Sequence, residues 1–287
     1  VAARLLELVT AQNVVRGLRR RKKLPRLPRQ LPPRPVERDY LHDVLILLSP
    51  ALALVNDRLV HELKGLQLEA GIRDDEHRRS DAYSDRVDVI MDGVRLEYGR
   101  RVDPRRIRGA AQEAAGKAER FNREQVNRQF RQLLHVDVVG GDPMIEGMMR
   151  AFTQENVRLI TSIPARYFDE IETTVLRTFR SGQRAEVAAR LIQDRYDVSA
   201  SRAALIARDQ IGKFNGELNK VRQTSLGITR YIWRTSRDER VRESHQELEG
   251  EIFDWQGPDQ PPEGHPGMPI QCRCTPEPYL GDLLAAL

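Results

Sequence analysis

Cysteine is almost missing from these 287 residues: the chain holds only Cys272 and Cys274. So few exclude the disulfide framework that staples small secreted domains, and a single intervening residue closes too tight a loop for an unstrained bridge. A reduced thiol pair is expected. Aromatic residues are scarce as well, at 6%. Long apolar runs are lacking: the longest, residues 44–55, is broken by Ser49 and Pro50 and falls short of the ~20 residues that span a bilayer. The N-terminal region lacks the order of a secretion signal, because its basic cluster follows the apolar stretch. These absences lead to the expectation of a soluble protein made in the cytoplasm. The chain begins at Val1, not Met, as expected of a trimmed or processed start. It contains no P-loop, no GxSxG elbow and no HExxH, and no repeat of solenoid length.

What the chain has in abundance is charge. Charged residues make up 31% and hydrophobic residues 40%, a balance suited to helices with broad solvated faces. The net charge of +5 is uneven, since residues 1–40 hold eleven Arg or Lys against three acids. Residues 16–38 alone contain ten basic residues, one acid and five prolines. The prolines forbid a continuous helix and favour extended geometry, while the like charges repel until a partner neutralises them. Residues 1–39 therefore read as a basic, Pro-rich flexible arm, with a short helix possible only in its first fifteen residues. Arg16, Arg19, Arg20, Arg21, Lys22, Lys23, Arg26, Arg29 and Arg34 are its candidate contacts to double-stranded DNA, acting through counterion release. No aromatic residue interrupts residues 16–38, so base stacking and sequence readout are not expected. A solvated linker and an arm that binds an acidic protein surface are the other readings of the same charge run.

Residues 40–66 carry Leu41, Val44, Leu45, Leu48, Leu52, Val55 and Leu59 at helical spacing, with a kink expected at Pro50. A second long helix is expected after Pro104, with a stripe of Ile107, Ala111, Ala114, Ala118 and Phe121, then Phe130, Leu133 and Leu134. Residues 40–140 thus form a long-helix region whose small alanines suit close packing against a partner. "VVGGDP" (138–143) marks the predicted boundary. Beyond it, residues 152–163 and 167–179 are predicted as helices separated by Pro164, and residues 186–196 as another. A further helix starts at a serine N-cap in "VSAS" and ends at Gly227. The period then changes: Thr229, Tyr231, Trp233 and Thr235 alternate with Ile228, Arg230, Ile232 and Arg234, a strand pattern. "EIFDW" (251–255) and "CRCT" (272–275) are further short strands. The expected fold class is mainly α: long N-terminal helices and a helical bundle (150–226), with a small C-terminal α+β unit (227–280).

That unit gathers the chain's candidate chemistry. If Cys272 and Cys274 lie on a strand, their spacing aims both sulfurs at one face. His245 and His265 could then complete a Cys2His2 tetrahedron around a structural zinc ion. The competing reading is a small fold in which His245 bonds Asp238 or a carbonyl and the cysteines pack as small hydrophobes. A third reading makes Asp238, Arg240, Arg242 and His245 an acid–base pair with a phosphate clamp, giving a nuclease-like or toxin-like enzyme centred on His245.

The order of elements across residues 152–280 resembles the phage Mu F-like head morphogenesis family, also called minor head or minor capsid proteins. The resemblance rests on "IARDQ" with Asp209 and Gln210, then Asn215 and Asn219, then Trp233, Thr235 and Asp238. "RVRESH" follows with Arg240, Arg242 and His245, then Leu248 and Gly250, and finally Pro261, Pro262, His265, Pro266 and "CRC". The link "GMPIQ" between His265-Pro266 and the cysteines is longer than the family often has. The resemblance implies a low-copy, non-enzymatic virion component of a tailed phage or prophage, assembled in the host cytoplasm. It further implies a place inside the head beside the portal protein and the major capsid or scaffold interior, aiding DNA packaging or delivery, with no membrane partner. The N-terminal half shares only its helical character with the family.

Overall fold

The computed structural model describes residues 27–62, 65, 76–134, 137–139, 143–180 and 185–281. The expected helix in residues 1–15 and the arm contacts Arg16, Arg19, Arg20, Arg21, Lys22, Lys23 and Arg26 lie outside the described residues. The chain is mainly helical, as its composition predicts, with one small antiparallel sheet near the C-terminus. Helix α1 spans Arg34–Leu54 and runs into a π-helical turn, Val55–Val60. Helices α2 (Glu76–Arg101), α3 (Pro104–Leu134), α4 (Pro143–Arg180) and α5 (Ala185–Ser225) follow. Strand β1 (Arg230–Arg234), the single turn α6 (Glu243–Gln246), β2 (Ile252–Asp254) and β3 (Thr275–Pro278) complete the order.

Two predicted breaks, at Pro164 and at Ser199, are absent for local reasons, and α1 runs on through Pro50. Pro50 cannot donate to the Ile46 carbonyl, but the Ser49 hydroxyl does so at 3.0 Å, so α1 continues through the proline. Pro164 likewise lies inside α4. There Thr161 and Ser162 donate to the carbonyls of Val157 and Leu159, each at 2.7 Å. Buried Ile160, Ile163, Tyr167 and Ile171 keep one apolar stripe running across the proline. In α5 the expected N-cap is an interior residue: the Ser199 hydroxyl turns back to the Arg195 carbonyl at 3.0 Å. Ala188, Ile192, Ala203, Ala207, Ile211, Phe214 and Leu218 are buried along this single 41-residue helix. The long-helix region also contains α2, in which Val89 and Leu96 are exposed; among its described side chains Val87, Met91 and Val94 are buried.

The described residues form two compact units. One comprises Asp39–Ala111 and Thr153–Ile206. Its core joins Val44, Leu48 and Leu54 of α1 with Met91 of α2 and Phe168 of α4. Tyr40 donates to Asn156 at 2.7 Å, and Tyr98 packs edge-on against Phe168 while donating to the Leu47 carbonyl at 2.9 Å. The other unit joins the segment up to Arg38, Gln112–Phe152 and the chain from Ala207 onward. Thus neither unit is a continuous stretch, unlike the linear division at residue 140 that the sequence suggests.

In the second unit the segment before α1 is an extended strap fastened to α3. Gln30 donates to Gln129 at 2.9 Å, Gln129 to the Pro28 carbonyl at 2.9 Å, and Arg128 to the Arg29 carbonyl at 2.7 Å. α3 and α5 meet through buried polar groups: Asn122 donates to Asn215 at 3.0 Å, and the Arg222 guanidinium pairs with Glu119 at 2.6 Å. α5 ends in a left-handed turn at Gly227 (φ 81°), where the Ile228 N–H returns to the Gln223 carbonyl at 2.9 Å.

The sheet order is β2-β1-β3, both pairs antiparallel. The predicted alternation in β1 holds, since Tyr231 and Trp233 face inward. They form a core with Trp255, Cys272 and Cys274, against which Leu248 and Phe253 pack. The third strand begins three residues later than "CRCT" suggests, at Thr275. Pro276 and Pro278 are tolerated there because β3 is an edge strand.

Candidate metal centre

Each side chain of the site is set by a different local device. After β1 the chain turns at Arg237, held at φ 55°. The Asp238 carboxylate accepts the Arg240 N–H at 3.1 Å, and the Asp238 carbonyl accepts the Val241 N–H at 3.1 Å. That turn delivers the short helix α6, whose third residue is His245. The cysteines arrive from the opposite end, after a long Gly- and Pro-rich loop, and Gln271 is again left-handed at φ 57°. The loop is anchored to α5 at this point: the Gln271 N–H reaches Asp209 at 3.3 Å and its side chain accepts Arg208 at 2.7 Å. Asp209 also holds Lys213 at 2.7 Å.

A pair of glycines one helical turn apart allows the loop to cross α5. A Cβ on Gly216 would stand 2.5 Å from the Pro266 carbonyl oxygen. Gly267, at φ 93°, approaches equally closely, since a Cβ there would lie 2.7 Å from the Gly212 carbonyl. Neither glycine was singled out from the sequence, although "GKFNG" places them at the i, i+4 spacing that bares one strip of helix backbone.

His245, Cys272 and Cys274 converge, all buried, with their ligand atoms within 4.8 Å of one another. His245 Nδ1 lies 3.7 Å from Cys272 Sγ and 3.5 Å from Cys274 Sγ. His265 does not join them. Its Nδ1 meets the Tyr231 hydroxyl at 2.9 Å and its ring packs on Trp255 at 4.9 Å, so the expected Cys2His2 set is reduced to three. The alternative bond from His245 to Asp238 is absent too. Asp238 instead receives Arg273 at 2.8 Å and Arg34 at 2.6 Å, while His245 Nε2 lies 3.3 Å from Glu263. Glu263 is itself held by Ser244 at 2.8 Å and Arg242 at 3.3 Å. Arg242 also donates to the Ile270 carbonyl, which ties α6 to the cysteine loop.

The electrostatics favour one thiolate in this cluster. The Cys274 thiol, then His245 and the Gly267 N–H at 3.4 Å, hold the Cys272 thiol below its ordinary value against the cost of burial. Sharing a proton with Cys272, together with burial, pushes Cys274 up. His245 is pushed above its ordinary value, first by its bond to Cys272 and then by Glu263. Burial moves His265 the other way. Such a set can bind a soft or borderline cation through nitrogen and sulfur. A buried imidazole, 3% exposed and with both ring nitrogens facing partners, is poorly placed to reach a phosphodiester.

Trp233 lies in the core edge-on to His245 at 5.2 Å, Asn215 bonds Asn122, and Gln210 and Asn219 are buried on α5. Gln223 was not foreseen, yet it donates to the Pro276 carbonyl at 2.9 Å and accepts the Trp255 indole at 3.0 Å, fastening α5 to the sheet. Two arm candidates are described: Arg29, partly buried, donates to the Thr235 carbonyl at 2.8 Å, and Arg34, exposed, pairs with Asp238. They belong to the strap and the start of α1.

Among known proteins, the family described as "Phage Mu protein F like protein" matches residues 169–277. An uncharacterised protein of Haemophilus influenzae is 38% identical over 138 residues, which is 48% of this chain and 31% of that protein. An uncharacterised protein of Methanocaldococcus jannaschii is 37% identical over 90 residues, 31% of this chain and 14% of the other. The chain therefore spans a third or less of the curated relatives it matches. No solved structure matches it significantly. The match begins within α4, passes through α5 and the His245–Cys272–Cys274 cluster, and ends in β3, so over these residues the chain is similar to the phage Mu protein F-like family.

Proposed function

We propose that this chain is a minor head protein of a tailed phage or prophage that contributes to head morphogenesis. The family match over residues 169–277 carries the reading. The motif residues support it, because they build a packed fold: Asp209 anchors the cysteine loop, Asp238 ties the turn, and Trp233 fills the core. The reading assigns no catalysis to His245. It places the protein inside the head at the portal vertex, with the portal protein and the inner capsid or scaffold surface as partners. Inactivating the gene in the phage or prophage that carries it tests this directly. Electron micrographs should show aberrant or unfilled heads, restored by a wild-type copy. Normal, filled, infectious heads would overturn the proposal.

Within that role, the basic segment is the DNA contact. Its contacts before the strap are Arg16, Arg19, Arg20, Arg21, Lys22, Lys23 and Arg26, with Arg29 and Arg34, each in an ion pair, next along the chain. Seven phosphate contacts correspond to a salt dependence of about six in log affinity per log salt. Deleting residues 1–26 should remove most of that slope for double-stranded DNA of any sequence. An unchanged slope would refute the assignment.

A further inference from the structure

We propose that His245 Nδ1, Cys272 Sγ and Cys274 Sγ bind one zinc ion, whose fourth position opens onto a small cavity and is filled by solvent. The ligand spacing is the first support. Zinc bonds of about 2.3 Å to sulfur and 2.0–2.1 Å to nitrogen, set at the tetrahedral angle, require nitrogen and sulfur roughly 3.5–3.6 Å apart. The two separations here are 3.5 and 3.7 Å.

The surroundings of the ligands are the second support. A zinc-bound imidazole typically donates its other ring nitrogen to a carboxylate, which fixes the tautomer and aims the lone pair at the metal. His245 Nε2 faces Glu263 at 3.3 Å, and Glu263 is fixed from its other side by Ser244 and Arg242. Ionised sulfur requires N–H donors, and the Gly267 N–H points at Cys272 Sγ at 3.4 Å. That donor exists because the loop crosses α5 at Gly212 and Gly216. Fold and ligand shell thus depend on the same close approach.

Three protein ligands leave one tetrahedral position unfilled by protein. A cavity of about 20 Å³ adjoins all three ligands and is lined also by Ser236, Arg240 and Arg242. That volume suits about one water molecule. An open position of this kind distinguishes the site from a closed structural knuckle, in which a fourth Cys or His would complete the shell.

Metal analysis of the full chain, purified without chelator, tests the proposal. One zinc per chain is expected, with His245→Ala, Cys272→Ser and Cys274→Ser each losing stoichiometric binding. His265→Ala should retain it, and Glu263→Gln should weaken affinity about 10- to 100-fold. Cobalt exchanged into the wild-type chain avoids any dependence on variants that fold poorly. It should give thiolate charge-transfer absorption and the intense visible bands of four-coordination, and added thiocyanate should shift those bands by entering the open position. Bands indifferent to thiocyanate would overturn the open position. Freely titrating thiols with no zinc, a different stoichiometric metal, or loss of binding in His265→Ala would overturn the site.

Discussion

Removing the Glu119 carboxylate should unfold the sheet-bearing unit far more readily than the loss of a surface charge would. The Arg222 side chain is 2% exposed, and its guanidinium is held by the Glu119 carboxylate at 2.6 Å, by the Glu119 carbonyl at 3.3 Å and by Asn122. Glu119→Ala removes the carboxylate that pairs with that buried cation, a change that typically costs about 3–5 kcal/mol. The Asn122 and carbonyl contacts survive the substitution, so a cost near 3 kcal/mol is expected. That is roughly a hundredfold shift in the folding equilibrium. Replacing both partners, Glu119→Leu with Arg222→Met, removes the buried charge as well and should return stability to within about 1 kcal/mol of the wild type. Urea denaturation followed by tryptophan fluorescence is the suitable assay, because both tryptophans, Trp233 and Trp255, lie in the same unit as the ion pair. A local probe also avoids assuming that two units unfold as one. A Glu119→Ala cost below about 1 kcal/mol, typical of exposed pairs, would refute the reasoning. So would a double variant as unstable as the single.

Gly216→Ala should cost about 1–3 kcal/mol, because the new methyl can be accommodated only by moving the loop backbone at Pro266. The same assay should show it, whereas Gly109→Ala on α3, which meets nothing within 4 Å, should raise the far-ultraviolet melting midpoint. Glu249 supplies an acid-sensitive contribution. Burial raises its pKa, but the Thr235 N–H and hydroxyl, with Arg237 and Arg29, outweigh burial and lower it. A depressed carboxylate stabilises the fold above its unfolded value and loses that contribution as pH falls through the folded one. The denaturation midpoint should therefore decline as pH drops below about 4.5, the ordinary value. Glu249→Gln should cost about 1 kcal/mol at neutral pH and flatten that decline, and an equally steep decline in the variant would refute the assignment.

The sequence was most readable where one local pattern settles the outcome. Tyr231 and Trp233 reveal β1 because a strand covered on one face must alternate. Pro104 and the alanine stripe reveal α3 in the same way. Pro164 and Ser199 misled because their usual meaning as breaks depends on no other group satisfying the helix. Ser49 replaces the hydrogen bond that Pro50 lacks, and a continuous buried stripe carries α4 through Pro164. Helix α2 left little signal, since few of its described side chains face the core. At the candidate site, the residue types were legible and the grouping that the structure makes was not. Distinguishing His245 from His265 requires knowing that the loop folds over Gly216 and that Tyr231 captures His265. No local periodicity encodes either fact.

The boundaries of the family match have a structural consequence of their own. Residues 169–277 contain His245, both cysteines and all of the sheet but Pro278, yet several groups that hold this arrangement lie outside them. Glu119 and Asn122 of α3 satisfy Arg222 and Asn215. Arg34 closes on Asp238, and Arg29 binds the Thr235 carbonyl. The matched segment also runs from one compact unit into the other, with the change at Ala207 inside α5. The shared sequence thus records the part of the fold that builds the cysteine–histidine cluster, whereas stability depends on charges and amides contributed by the strap and α3. Substitutions at Arg29, Arg34, Glu119 or Asn122 would reach the cluster through Asp238, Arg222 and the sheet, without touching any of its ligands.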